Sequence, residues 1–65
     1  MNQAEAKEKA REGYKIFHQY FTSEEYIHYN EEDMEYQFED GNKVDTEWWD
    51  KDYLQTNWDI YDETK

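Results

Sequence analysis

Residues 23–65 combine two properties that oppose each other in a chain without a fold. The segment holds fifteen of the eighteen acidic residues, against Lys43, Lys51 and Lys65. It also holds Tyr26, Tyr29, Tyr36, Phe38, Trp48, Trp49, Tyr53, Trp58 and Tyr61. Acidic segments that stay disordered are poor in aromatic residues, because they have nothing to bury. A segment this rich in rings has to build a core and carry its charge on the outside. Residues 1–22 are close to neutral, with Lys7, Lys9, Arg11 and Lys15 set against Glu5, Glu8 and Glu12. The formal net charge of −11 therefore belongs to the later part of the chain.

The 65 residues make a single domain, with a helical part at 1–22 and an acidic, aromatic-rich sheet region at 23–65. A domain of this size buries only about 60% of the surface its unfolded chain exposes. No cysteine is present to staple it, so the rings must supply the buried area. The first residues contain no apolar stretch of the kind that directs secretion, and no run is long enough to span a membrane. A cytoplasmic protein is expected, as a monomer or a small homo-oligomer. A net charge of −11 exceeds the magnitude of about 2–8 that solubility asks of a small domain. It repels nucleic acid and anionic lipid and favours basic protein surfaces.

Residues 2–21 read as a helix. Asn2 and Glu5 are placed as a capping box. Ala6, Ala10, Tyr14, Phe17 and Phe21 form an apolar stripe at spacings of three and four. Gly13 beside the stripe weakens the helix, or marks a kink or a close backbone approach. Residues 24–30 read as a short strand, with a second helix capped by Ser23 as the competing reading. Residues 34–39 alternate Met34, Tyr36 and Phe38 with Glu35, Gln37 and Glu39, the clearest strand pattern in the chain. Asp40-Gly41-Asn42 is a hairpin turn, and Val44, Thr46 and Trp48 alternate through a return strand. An Asp45 cap opening a helix over 45–54 is the alternative there. Residues 54–61 give a last strand, with Leu54, Thr56, Trp58 and Ile60 on one face and Asp59 and Tyr61 on the other, followed by a polar tail. The expected fold class is α+β: an N-terminal helix packed on a three- or four-stranded antiparallel β-meander.

The composition points away from catalysis and cofactors. His18 and His28 are isolated, His18 on the helix but off its main stripe, and a zinc site needs three or four ligands at helper spacing. Ser23 is the one serine, with no nucleophile-elbow pattern around it. The 40–45 loop carries its glycine at the second position and so departs from the calcium-loop pattern. Neither an enzyme nor a cofactor-binding protein is expected.

What remains is the pattern of charge. Side chains on one face of a strand repeat every ~6.6–6.8 Å. Successive phosphates on a DNA strand rise by ~3.4 Å along the axis and wind around it, which leaves comparable through-space gaps. On this reading Glu35 and Glu39, their partners Asp45 and Glu47, and Asp59 form rows of carboxylates at roughly phosphate spacing. Glu31, Glu32, Asp33, Asp40, Asp50 and Asp52 extend the rows through the turns. Trp49 and Tyr53 are the expected aromatic anchors. In this design the chain resembles the small acidic DNA-mimic inhibitors that phages and plasmids encode against host defence, of the anti-CRISPR, anti-restriction and uracil-DNA-glycosylase-inhibitor types. The resemblance is one of design and rests on no shared motif. It implies a non-enzymatic inhibitor that fills the DNA-binding groove of a basic partner: a CRISPR effector first, or a restriction enzyme or DNA glycosylase. It also implies no direct contact with nucleic acid or membrane. The alternative is an acidic antitoxin or anti-sigma-like regulator that neutralises a basic protein without imitating DNA.

Overall fold

The structure, a computed structural model, describes residues 1–62. The final residues of the expected polar tail, 63–65, lie outside the described residues. Helix α1 spans Gln3–Arg11. Its start follows the expected capping box: the Asn2 side chain accepts from the Glu5 N–H at 2.9 Å, and Glu5 accepts from the Asn2 N–H at 3.3 Å. Its end does not lie at Phe21. Gly13 adopts φ +107° just past the C-cap Glu12. The Gly13 N–H donates to the Ala10 carbonyl at 3.0 Å and the Tyr14 N–H to the Lys9 carbonyl at 3.2 Å. This is the paired closure of a Schellman motif, which a glycine reaches without steric cost. Tyr14, Phe17 and Phe21 therefore leave the helical stripe.

Four antiparallel strands follow: β1 at Ile16–His18, β2 at Ile27–Asn30, β3 at Glu35–Phe38 and β4 at Trp58–Ile60. Their order is β3-β2-β1-β4. The first three are neighbours in sequence and space, and the fourth returns to lie beside the first, the Greek-key order. The α+β class is thus as expected, with a helix on a four-stranded antiparallel sheet. The strands themselves differ in part. β1 occupies residues expected to be helical. β2 settles 24–30 as strand from Ile27 onward.

The Asp40–Gly41–Asn42 turn forms, with Gly41 at φ +89° and its N–H donated to the Phe38 carbonyl at 2.9 Å. The return strand, however, shrinks to a single bridge between Gln37 and Lys43. Asp45 then precedes a 3-10 helix at Thr46–Asp50, and a second runs over Asp52–Leu54. A continued strand would send Trp48 and Trp49 to opposite faces and leave one of them in water. The 3-10 turn buries Trp49 and lets Trp48 pack on Phe38 and Phe21. The last strand is also short. Leu54 belongs to the second 3-10 helix, and Asn57 at φ 70° turns the chain just before β4.

The core lies between α1, the helix-side face of the sheet and the 44–54 connection. It contains Ala6, Ala10, Ile16, Ile27, Val44, Trp49, Leu54 and Trp58. The two small alanines let α1 approach β1, β2 and β4 closely. The connection is clamped by side-chain amides. Gln3 Nε2 donates to the carbonyls of Trp49 and Leu54 at 2.7 and 3.1 Å, and Gln55 Nε2 donates to Trp49 and Lys51 at 3.0 and 3.1 Å. Trp58 Nε1 donates to the Leu54 carbonyl at 2.7 Å. The outer edge of β4 is occupied by Met1, which exchanges main-chain bonds with Trp58 at 2.9 and 3.1 Å.

Candidate functional site

The strand alternation divides the side chains cleanly. Ile16, His18, Ile27, Tyr29, Tyr36, Phe38, Trp58 and Ile60 face the helix. Phe17, His28, Asn30, Glu35, Gln37 and Asp59 take the opposite, open face. Phe17 and Tyr61 meet edge to face at 6.1 Å, and Tyr26 lies 5.0 Å from Tyr61 and 6.2 Å from His28. The open face thus carries an aromatic patch, flanked by the polar chain Asn30–Gln37–Glu35.

The predicted carboxylates do not form rows. Glu35 is on β3 and Asp59 on β4, the two outer strands, and the register also offsets them by four residues along the strands, so they stand roughly 20 Å apart at ordinary strand spacing. Glu31, Glu32 and Asp33 occupy the β2–β3 turn, where the Asn30 side chain accepts from the N–H groups of Glu32 and Asp33. Glu39 and Asp40 lie beyond the other end of β3, roughly 20 Å from that turn. Asp45 stands at the N-cap position of the first 3-10 helix without a side-chain capping bond, Glu47 lies within it, Asp50 closes it, and Asp52 opens the second. Since the return strand is absent, Asp45 and Glu47 have no strand register with Glu35 and Glu39. What the structure does bring together is Asp33 and Asp50, around a groove of about 380 Å³ floored by Tyr36 and Trp49 and joined by Lys7 and Lys43; Glu35 borders it, but its carboxylate accepts from Gln37 on the open face.

The electrostatics are lopsided in a specific way. None of the eleven predicted carboxylates has a Lys or Arg nitrogen within 4.0 Å among the described residues, and the ion pair seen there joins Lys9 to Glu12 on the helix at 3.7 Å. The cations of the first part of the chain are directed at rings. Lys7 Nζ lies 4.4 Å from the Trp49 ring centre, Lys9 Nζ 5.8 Å from that of Tyr14, and Lys15 Nζ 4.6 Å from that of Tyr26. Arg11 donates to the Tyr36 hydroxyl at 2.7 Å. Burial holds the Lys7 ammonium below the ordinary lysine pKa, offset in part by Asp50. Burial likewise lifts the Tyr36 phenol, against the opposing pull of Arg11.

The aromatic anchors divide. Trp49 is 4% exposed and belongs to the core, contrary to its expected surface role. Tyr53 is 50% exposed and pairs at 5.8 Å with Tyr20, which is 68% exposed. Beneath them lies His18. It is not a helical surface residue but a fully buried member of β1, ringed by Tyr20, Phe21, Tyr53 and Trp58. Its Nδ1 accepts from the Tyr20 N–H at 3.2 Å, while its Nε2 has no hydrogen-bond partner among the described residues. Sequence reasoning missed Phe17, Tyr20 and Tyr26 as surface aromatics. The signal for Tyr61 was present, since 54–61 put it on the face of Asp59.

No group of three or more His, Asp or Glu side chains suited to a metal ion occurs among the described residues. No helix among them is long and apolar enough to cross a membrane. The chain matches no family model, no curated protein and no solved structure.

Proposed function

We propose that this protein is a non-catalytic inhibitor that occupies the nucleic-acid-binding surface of a basic partner in place of DNA, with a CRISPR effector as the first candidate and a restriction enzyme or DNA glycosylase as others. It acts in the cytoplasm of the cell whose defence complex it blocks. The observation that carries the reading is the unpaired charge: among the described residues none of the eleven carboxylates forms an ion pair within 4.0 Å, while Lys7 and Lys9 of α1 lean on aromatic rings. A fold selected for stability alone would place some of those lysines beside the carboxylates and relieve the self-repulsion. The size agrees. Over its longest dimension of 30 Å a DNA duplex carries about 18 charges, against the 18 acidic residues and net −11 here.

The mimicry is one of charge density on a compact body rather than of phosphate rows. Acidic turns at both ends of β3 and along the 45–52 connection meet Lys and Arg side chains on several sides of a groove. Pairing of the partner's Lys and Arg with these carboxylates frees counterions into solution, as pairing with DNA phosphates does, so binding weakens as salt rises. Inhibition is then competition, with no chemistry at the inhibitor.

The test is a panel of purified effectors in DNA-cleavage assays. One member is expected to be inhibited, with inhibition relieved by excess duplex DNA and weakened as salt rises. The exposed pair Asp45→Lys with Glu47→Lys should reduce inhibition strongly while circular dichroism stays native, because reversal adds repulsion to the lost attraction. Inhibition indifferent to both salt and competitor DNA would overturn the reading.

A further inference from the structure

Beside β4, where β1 passes into the 21–23 segment, lies a hollow of about 350 Å³. Phe17, Phe21, Ser23, Asp59, Ile60 and Tyr61 line it. We infer that this hollow is a receptor for one arginine side chain of the basic partner, an inference that rests on the function proposed above. Three observations give it that chemistry.

The ring wall is fixed before anything binds. The Tyr61 hydroxyl donates to the Ser23 carbonyl at 3.0 Å, a tie between positions 38 apart in sequence. Phe17 and Tyr26 brace the Tyr61 ring from two sides. A pre-set wall loses little side-chain entropy on binding.

The wall already holds a cation. Lys15 Nζ sits 4.6 Å from the centre of the Tyr26 ring, the neighbour of Tyr61. The same cluster therefore offers ring faces to positive charge elsewhere in the fold, and Phe17 and Tyr61 extend it into the hollow.

The rim supplies a directed carboxylate. Asp59 is exposed, and its Oδ1 accepts from the Ile60 N–H at 2.8 Å, which fixes the side chain. Its Oδ2 has no hydrogen-bond partner among the described residues. A guanidinium is planar, so it can stack on a ring and donate in its plane to Oδ2. An ammonium is a hydrated point charge with no face to stack. The hollow therefore prefers arginine to lysine. The surrounding charge, including Glu24 and Glu25 next to Ser23, excludes an anionic ligand.

The test uses the whole protein and two probes, a blocked tetra-arginine peptide and its tetra-lysine counterpart, titrated at low salt with amide chemical shifts as the readout. The arginine peptide should shift the amides of Phe17, Ser23 and residues 59–61 first, and bind at least about fivefold more tightly than the lysine peptide. Asp59→Asn keeps the acceptor for the Ile60 N–H and removes the charge. It should erase most of the arginine preference, whereas Glu47→Gln on the distant connection should change binding by less than about twofold. Tyr61→Phe keeps the ring but loses the tie to Ser23, so it should weaken binding while retaining the arginine preference, and Tyr61→Leu should lose the preference. Equal binding of the two peptides, or equal weakening by Asp59→Asn and Glu47→Gln, would overturn the arginine receptor and leave the acidic-surface reading standing. Absence of salt-dependent binding by either peptide would overturn both.

Discussion

Replacing Trp58 by Phe removes the indole nitrogen and two ring carbons from the point where the last strand meets the core. Trp58 is 2% exposed, and its ring touches His18, Phe21, Trp48 and Trp49. The two lost carbons account for roughly 1.6 kcal/mol of burial at about 0.8 kcal/mol per methylene-sized group. The hydrogen bond to the Leu54 carbonyl contributes about 1 kcal/mol more. That carbonyl keeps its bond from Gln3 Nε2 at 3.1 Å, so no full desolvation penalty is added. The expected loss is about 2.5 kcal/mol. A 65-residue domain has a total stability of roughly 3–10 kcal/mol, so the loss is a large fraction of it. At 4–8 °C per kcal/mol, the thermal midpoint should fall by roughly 10–20 °C. Circular dichroism melts of the two proteins measure it directly. A fall of less than about 3 °C would mean that β4 is not packed beside β1 as described, and the placement of the C-terminal strand would have to be abandoned.

The remaining expectations are simpler to check. Raising ionic strength from ~0.01 M to ~0.1 M shortens the Debye length from ~30 to ~10 Å, and screening the unmatched carboxylates should raise the thermal midpoint; a lower midpoint at the higher salt would contradict the picture of self-repulsion. Met34 sits at φ 55° and is 78% exposed, so Met34→Gly should relieve backbone strain at little packing cost and stabilise the domain by about 0.5–1 kcal/mol in urea melts. Because burial lowers the Lys7 pKa, the unfolded chain binds more protons between the folded value and the ordinary one near ~10.4, so the Lys7 contribution to stability should rise with pH through that window and vanish in Lys7→Met. The Tyr36 phenol, raised by burial, works in the opposite direction above the ordinary phenol range near ~10. Phenolate absorbance should show it ionising late, with that late step missing in Tyr36→Phe.

The capping box at Asn2 and Glu5 was readable because it depends on residues three apart and nothing else. So was β3 over Glu35–Phe38, although Met34, expected on its inner face, lies in the preceding turn at φ 55° and is exposed. The helix end was also written locally, in Lys9 and Arg11 followed by Gly13, but Tyr14, Phe17 and Phe21 continue the helical spacing by coincidence. That longer pattern outweighed the glycine. What decides the matter is tertiary: Ile16 gains strand partners on both sides, Ile27 and Ile60, and His18 gains Trp58 on one. The return strand failed for a similar reason. Val44, Thr46 and Trp48 alternate correctly, yet burying Trp49 against the helix is worth more than extending the ladder. The candidate site was legible as composition and not as geometry. Its carboxylates lie mostly in turns, whose positions depend on how the strands pair, and the row spacing required a strand at 45–47 that does not exist. The aromatic patch of Phe17, Tyr26 and Tyr61 comes from three separate segments and carries no signature within any one of them.

The pairing of Met1 with Trp58, 57 positions away, makes the molecule close to a ring. The central strand β1 cannot complete its ladder until the last strand arrives, and the entropy of closing that long loop is lost before any contact repays it. Folding is therefore expected to be slow for a domain this small and to end with β4 docking, since the β2–β3 hairpin forms between near neighbours whereas α1 completes its contacts only with the 44–54 connection and β4.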